Sequence, residues 1–210
     1  MTLYYPIMLK IEGKPCKVIG GGRVAERKIN TLLKHGADVT LISPKITEGL
    51  SILAEKGKIK YINRNYQKGD LKGAYLAFAL TDNKDINAEC EKEARENNIF
   101  INIADSEDLS DFIIPASINR GSLNISISTG GKSPMLAGKI KKELEEIYGE
   151  QYEYILNTLW ELRKKILKEI PSIEERREIF KKLVYDIDLH SSTKEIQDSM
   201  YKIYRDHKRH

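Results

Sequence analysis

Short apolar runs alternate with longer amphipathic stretches over the first hundred or so residues. The runs at 16–20, 38–42, 59–62, 75–79 and 99–103 are too brief for helices and read as buried strands. Between them, residues 23–34, 46–55 and 84–97 place apolar side chains at helical spacing. This alternation predicts βαβ units around a parallel sheet, an α/β fold of Rossmann type. Asp82 is expected to cap the third helix, its short carboxylate accepting from the free amides of the first turn.

Beyond residue 105 the pattern changes. Residues 112–118 and 123–128 are β-rich around Asn119-Arg120-Gly121-Ser122, which predicts a β-hairpin that either extends the sheet or forms a dimer surface. From Ser133 onward the spacing is helical. Pro134 suits a first turn, where its missing N–H costs nothing. Pro171 interrupts the helical region, Ser172 with Glu175 and Ser192 with Glu195 read as capping boxes, and residues 204–210 are expected to fray. The chain thus divides into a nucleotide-binding α/β part at 1–112, a β connector with its following loop at 113–147, and a helical part at 148–210.

Composition narrows the function classes. A chain of 210 residues, 40% of them hydrophobic, can bury a real core. Its 35 Lys and Arg against 31 Asp and Glu leave a formal charge of +4. Such a mixed surface gives no ground for nucleic-acid binding, and no helix-turn-helix with a basic face is found. Local clusters of Lys139, Lys141 and Lys142, and of Arg163, Lys164, Lys165 and Lys168, would suit a polyanionic small molecule as well as a polyphosphate backbone. Cys16 and Cys90 are too few for a disulfide framework or a metal knuckle, and read as buried apolar residues in a reducing compartment. His35, His190, His207 and His210 fall at no metal-ligand spacing, so no metal site is expected. No long apolar run and no signal-peptide layout occur, and the expectation is a cytoplasmic protein without a membrane partner.

The first strand runs into Val18-Ile19-Gly20-Gly21-Gly22-Arg23-Val24-Ala25, where Gly20, Gly22 and Ala25 meet the dinucleotide fingerprint. Gly20 permits the tight turn, Gly22 admits a pyrophosphate, and the helix that follows offers unpaired amides. The acid expected after the second strand is missing, since Ser43-Pro44-Lys45 stands there. Ser43 offers a hydrogen bond to a ribose and Lys45 tolerates a phosphate, which leaves NAD and NADP both open on chemistry. Thr81 and Asp82 follow the fourth strand, at the edge where ligands bind in such folds, as cofactor contacts, a turn with its cap, or both.

Two further constellations carry chemistry. Asn102-Ile103-Ala104-Asp105 sets a carboxylate just past the fifth strand, placed to take a proton beside a nicotinamide or simply to end a surface turn. The loop Ser128-Thr129-Gly130-Gly131-Lys132-Ser133-Pro134 ends like a phosphate-binding P-loop, but Ser126 stands where that motif needs its first glycine. What remains is a hydroxyl- and amide-rich loop suited to carboxylates, or a plain strand-to-helix connection.

Taken together with Tyr5-Pro6-Ile7-Met8-Leu9, Glu26-Arg27-Lys28, Ala79-Leu80-Thr81-Asp82 and Phe112-Ile113-Ile114-Pro115-Ala116, these segments resemble the precorrin-2 dehydrogenase family, which includes the dehydrogenase/ferrochelatase module of siroheme synthases. The likeness spans about the first 140 residues in order and spacing. It implies NAD-dependent oxidation of precorrin-2 to sirohydrochlorin by a homodimer, with the connector at its dimer interface. It also implies that Asp105 is the general base and that Ser128 lies near the substrate and is phosphorylated in some members. Arg23, Val24, Pro44 and Lys45 fall on NAD-contacting positions, beside Gly20, Gly21, Gly22, Ser43, Thr81 and Asp82. Gly130, Gly131 and Lys132 would join Ser128 on the tetrapyrrole, whose many carboxylates give the basic clusters a purpose. Ferrous iron enters only as the substrate of a second, chelating activity, which members of the family do not all share. The rival reading is a non-catalytic NAD(H)-sensing Rossmann dimer, which would have no need of Asp105 and Ser128 at the sheet edge.

Overall fold

The structure is a computed structural model and describes residues 4–104, 106, 108–189 and 191–207. It divides into two compact units, Met1–Ile114 and Pro115–His210.

In the first unit the elements run β1(Pro15–Ile19), α1(Arg23–Lys34), β2(Asp38–Ile42), α2(Glu48–Glu55), β3(Lys60–Ile62), β4(Leu76–Ala79), α3(Lys84–Glu96) and β5(Phe100–Ile103). The strands are all parallel, in the order β3-β2-β1-β4-β5. Both faces of such a sheet must be covered, and the period-two alternation of the strands supplies both. Cys16, Val18, Val39, Leu41, Leu76 and Phe78 meet Ala25, Ile29 and Leu32 of α1 and Leu50 of α2 on one side. Ile19, Ile42, Ala77, Ala79, Ile101 and Ile103 meet Cys90 and Ala94 of α3 on the other. The order in which strands are added reverses between β1 and β4, which opens a crevice at their carboxyl ends.

A buried carboxylate holds the long connection before β4. Glu93 of α3 is 2% exposed and accepts from the Gly69 amide at 2.9 Å, the Leu71 amide at 2.8 Å and the Tyr66 hydroxyl. Those donors offset the desolvation of its charge.

In the second unit β6(Ala116–Arg120) and β7(Leu123–Ile127) form an antiparallel ribbon, followed by α4(Pro134–Ile147), α5(Gln151–Glu169), α6(Ile173–Tyr185) and α7(Thr193–His207). Its core is written in helical steps: Ile155, Leu162 and Ile166 on α5, Ile179 and Leu183 on α6, and Ile196, Met200 and Tyr204 on α7. Among the described residues no helix is long and apolar enough to cross a membrane.

Several local expectations need correction. Asp82 does not cap α3; Asn83 does, its Oδ1 accepting from the amides of Asp85 and Ile86 at 2.9 and 3.2 Å. An amide oxygen serves as well as a carboxylate, and Thr81 sets the turn one residue later by accepting from the Asn83 amide. The second helix begins at Glu48 rather than at residue 46, because Thr47 takes the N-cap position. Residues 112–115 lie outside the ribbon: the Phe112 ring meets Phe78 edge-on at 5.7 Å, and the turn shrinks to Gly121 and Ser122. Of residues 204–210, expected to fray, Tyr204 to His207 instead complete α7, with Tyr204 only 9% exposed, and 208–210 lie outside the described residues.

Candidate functional site

The glycine turn lies at the carboxyl end of β1, beside the crevice. Gly20 has φ +104°, and a Cβ there would stand 2.5 Å from the Leu80 carbonyl oxygen. At Gly21 a Cβ would collide with the Lys45 carbonyl oxygen. Gly22 differs, because nothing lies within 4 Å of where its Cβ would be. It is the N-cap residue of α1 and gives that helix no side-chain cap, whereas Thr47 and Asn83 cap the other two helices of the unit. The first-turn amides of α1 therefore have no intrahelical acceptor and no side-chain cap, next to the open space at Gly22. That cradle fits the pyrophosphate of a dinucleotide, which needs close backbone approach, free amides and the positive end of a helix.

The loop after β2 is fastened to this turn. The Thr47 amide donates to the Gly21 carbonyl at 3.1 Å, and the Thr47 hydroxyl donates to Glu26 Oε2 of α1 at 2.6 Å. Ser43 is 5% exposed; its hydroxyl donates to the Lys45 carbonyl at 2.7 Å, and its own carbonyl accepts from the Tyr61 hydroxyl at 3.0 Å. Pro44 and the Lys45 side chain are exposed on the rim, as are Arg23 and Val24 at the start of α1. Thr81 comes up against Gly20 from β4, and its hydroxyl donates to Asn87 Oδ1 at 2.9 Å, while Asp82 is exposed beside it. The fold thus gathers Gly20, Gly21, Gly22, Lys45 and Thr81 around one edge, from stretches up to sixty-one residues apart in the numbering.

Near the end of β5, Asn102 is 8% exposed, and its side-chain amide is bonded through both nitrogen and oxygen. Its Nδ2 donates to the Phe112 carbonyl at 2.9 Å, and its Oδ1 accepts from the Lys28 ammonium at 2.9 Å. Burial, with the Arg27 charge second, holds that ammonium below the ordinary lysine range. Asp105 itself lies outside the described residues. Further along, Ser110 and Asp111 are tied to β5: the Ile101 amide donates to Asp111 Oδ2 and the Ile103 amide to Ser110 Oγ, each at 2.9 Å. Neither Lys28 nor Asn102 stood out in the sequence as a functional side chain. A pair seventy-four positions apart leaves no periodic signal.

In the second unit, the loop from β7 to α4 is preformed. The Ser128 hydroxyl accepts from the Gly130 amide at 3.1 Å, Thr129 Oγ1 accepts from the Ser133 amide at 3.0 Å, and Ser133 caps α4. Gly130 and Gly131 take φ of +59° and +78°, the two centres of a tight turn closed by the Lys132 amide donating to the Thr129 carbonyl at 3.2 Å. The Lys132 side chain is exposed at the same bend. No group of three or more His, Cys, Asp or Glu that could hold a metal ion occurs among the described residues.

Comparison with known proteins adds to this geometry. A family described as putative NAD(P)-binding matches residues 7–116, and one described as sirohaem biosynthesis protein central matches residues 120–147. The chain is 36% identical over 179 residues to a siroheme synthase of Ruthia magnifica subsp. Calyptogena magnifica, covering 85% of this chain and 38% of that protein. It is 34% identical over 181 residues to siroheme synthase 1 of Aeromonas salmonicida, covering 86% and 39% respectively. The chain therefore spans well under half the length of these relatives. Among solved structures it resembles SirC, a precorrin-2 dehydrogenase, with a TM-score of 0.78 and 27% identity over 96% of this chain and all of that one.

Proposed function

The chain belongs to the NAD(P)-binding family matched by residues 7–116, more than half its length, and carries the sirohaem biosynthesis central region after it; from that membership we propose that it oxidises precorrin-2 to sirohydrochlorin with NAD⁺. The observation that carries this reading is the likeness to SirC over nearly the whole chain, joined to a glycine turn with room for a pyrophosphate.

When bound, the nicotinamide supplies the acceptor for a hydride taken from the reduced macrocycle. The protein's own residues bind, orient and take up the accompanying proton. Gly20, Gly21, Gly22, Arg23 and Val24 hold the phosphates at the start of α1, with Ser43, Pro44 and Lys45 along the ribose edge and Thr81 and Asp82 flanking the crevice. Asp105 is the base that receives the proton released as the new double bond forms. Ser128, Gly130, Gly131 and Lys132 take carboxylates of the tetrapyrrole through hydroxyl, amides and ammonium. The functional unit is a homodimer, and ferrous iron, where it is used, is a substrate. The domain plan that goes with this role is a cofactor-binding part at 1–112, a dimerisation region at 113–147 and a helical part at 148–210.

The test is anaerobic oxidation of precorrin-2 by the purified chain with NAD⁺, following NADH and the sirohydrochlorin spectrum together. Stoichiometric appearance of both is the expected result. Binding of NAD⁺ without turnover would favour the sensing dimer instead. Adding Fe²⁺ to the completed reaction then reads chelation directly, against a protein-free control.

A further inference from the structure

Lys28 sends its ammonium inward from α1. The side chain is long enough to reach solvent, as that of the neighbouring Arg27 does. Instead, among the described residues, its partners are the Asn102 amide oxygen at 2.9 Å and the Phe78 ring, whose centroid lies 5.7 Å away, and neither of these two carries a negative charge. Burial makes the charged form costly there, and a methionine would fill the same space beside Phe78 without that cost.

What the ammonium does that an apolar side chain cannot is orient the amide. An ammonium only donates, so the group of Asn102 facing it must be the oxygen. The Nδ2 then points at the Phe112 carbonyl, which it reaches at 2.9 Å. That bond ties Phe112 to β5, together with Ile101 to Asp111, in both directions, and Ile103 to Ser110. In the sequence Asp105 falls between β5 and these tied residues.

We propose that Lys28 is a positioning residue: through Asn102 it couples α1, whose N-terminus takes the dinucleotide phosphates, to the segment that bears the catalytic base. The assignment rests on the dehydrogenase reading with Asp105 as that base. Displacing a base by about 1 Å costs on the order of a hundredfold in rate while leaving binding nearly untouched, and Lys28 should show that split.

The experiment measures kcat and KM for precorrin-2, the Kd of NAD⁺ and the melting temperature of the full chain as wild type, Lys28→Met, Lys28→Gln and Lys28→Arg. Glutamine is polar but one bond too short to keep the contact, and arginine keeps both charge and reach. The Met and Gln variants should lose about ten- to a hundredfold in kcat. Their NAD⁺ affinity and KM should stay within about threefold, a small change on the free-energy scale. The Arg variant should recover most of the rate. Met or Gln at wild-type kcat, or Arg as impaired as they are, would overturn the assignment; should the Met variant not fold, the Gln and Arg variants decide. A wild type that turns over beside equally active variants removes Lys28 alone, whereas a wild type that does not oxidise precorrin-2 removes the dehydrogenase reading and this assignment with it.

Discussion

Gly20, Gly21 and Gly22 are consecutive, yet a methyl group would meet a different obstacle at each. At Gly20 and Gly21 it runs into backbone carbonyls, of Leu80 directly after β4 and of Lys45 in the loop after β2. At Gly22 it enters empty space, the space assigned to the pyrophosphate. Gly22→Ala should therefore keep the wild-type melting temperature while weakening NAD⁺ by about tenfold or more, a loss of roughly 1.4 kcal/mol. Gly21→Ala should lower both stability and affinity. Calorimetric titration beside thermal melts separates the two, and an unchanged NAD⁺ affinity in Gly22→Ala would count against the phosphate cradle. The cysteines make a second case. Burial pushes the Cys16 thiol up to about 11 and the Cys90 thiol up to about 12, so in the folded protein almost no thiolate exists below those values. Neither should react with a disulfide reagent at pH 8 until the chain unfolds, when both should titrate. A stoichiometric reaction in the native protein would refute the buried assignment.

At the scale of elements, α1 runs over the expected residues 23–34, because a strand, a glycine turn and a helix with Ala25, Ile29 and Leu32 inward leave little freedom about where it starts. Capping chemistry is less legible. Asp82 and Asn83 are both good N-caps, and only the Thr81 hydroxyl, seen in three dimensions, selects the second. Least legible is the role of charged residues that turn inward. Glu93 sits among Glu89, Glu91, Lys92, Arg95 and Glu96 on a helix that reads as solvated on that evidence, yet it is buried and holds the loop before β4. Glu93→Gln would set an amide N–H₂ against one of the two backbone donors and should cost about 1–3 kcal/mol. Denaturant unfolding measures the loss, and hydrogen exchange should locate it at the Gly69 and Leu71 amides. Unprotected wild-type amides at these positions would contradict the clamp.

For the molecule as a whole, the nucleotide-binding half declares itself through period-two strands and a glycine fingerprint, whereas the helical half shows only its packing. No spacing in α4 to α7 distinguishes a basic face that attracts a substrate from one that is merely solvated. The modest charge of +4 conceals the clustering of Lys139, Lys141 and Lys142 on α4, which follows the Ser128 loop. If these cations attract a polycarboxylate, KM for precorrin-2 should rise severalfold between low salt and about 0.5 M salt, where the screening length drops to a few ångströms, while kcat holds. A salt-independent KM would mean that the carboxylates are met by neutral donors. Light scattering on the same preparation tests the homodimer.

The bonds from Thr47 to Gly21 and Glu26 matter for anyone who would re-engineer the cofactor preference. Such work commonly treats the segment after the second strand as a cassette, exchanged to suit a phosphorylated or unphosphorylated ribose. Here the cassette is latched to the phosphate turn and to the first helix, so a donor loop lacking a hydroxyl at position 47 would leave Glu26 without its partner and loosen the neighbouring turn. Swaps in this scaffold should succeed when residues 20–26 and 43–49 are transplanted together, as a single interchangeable part.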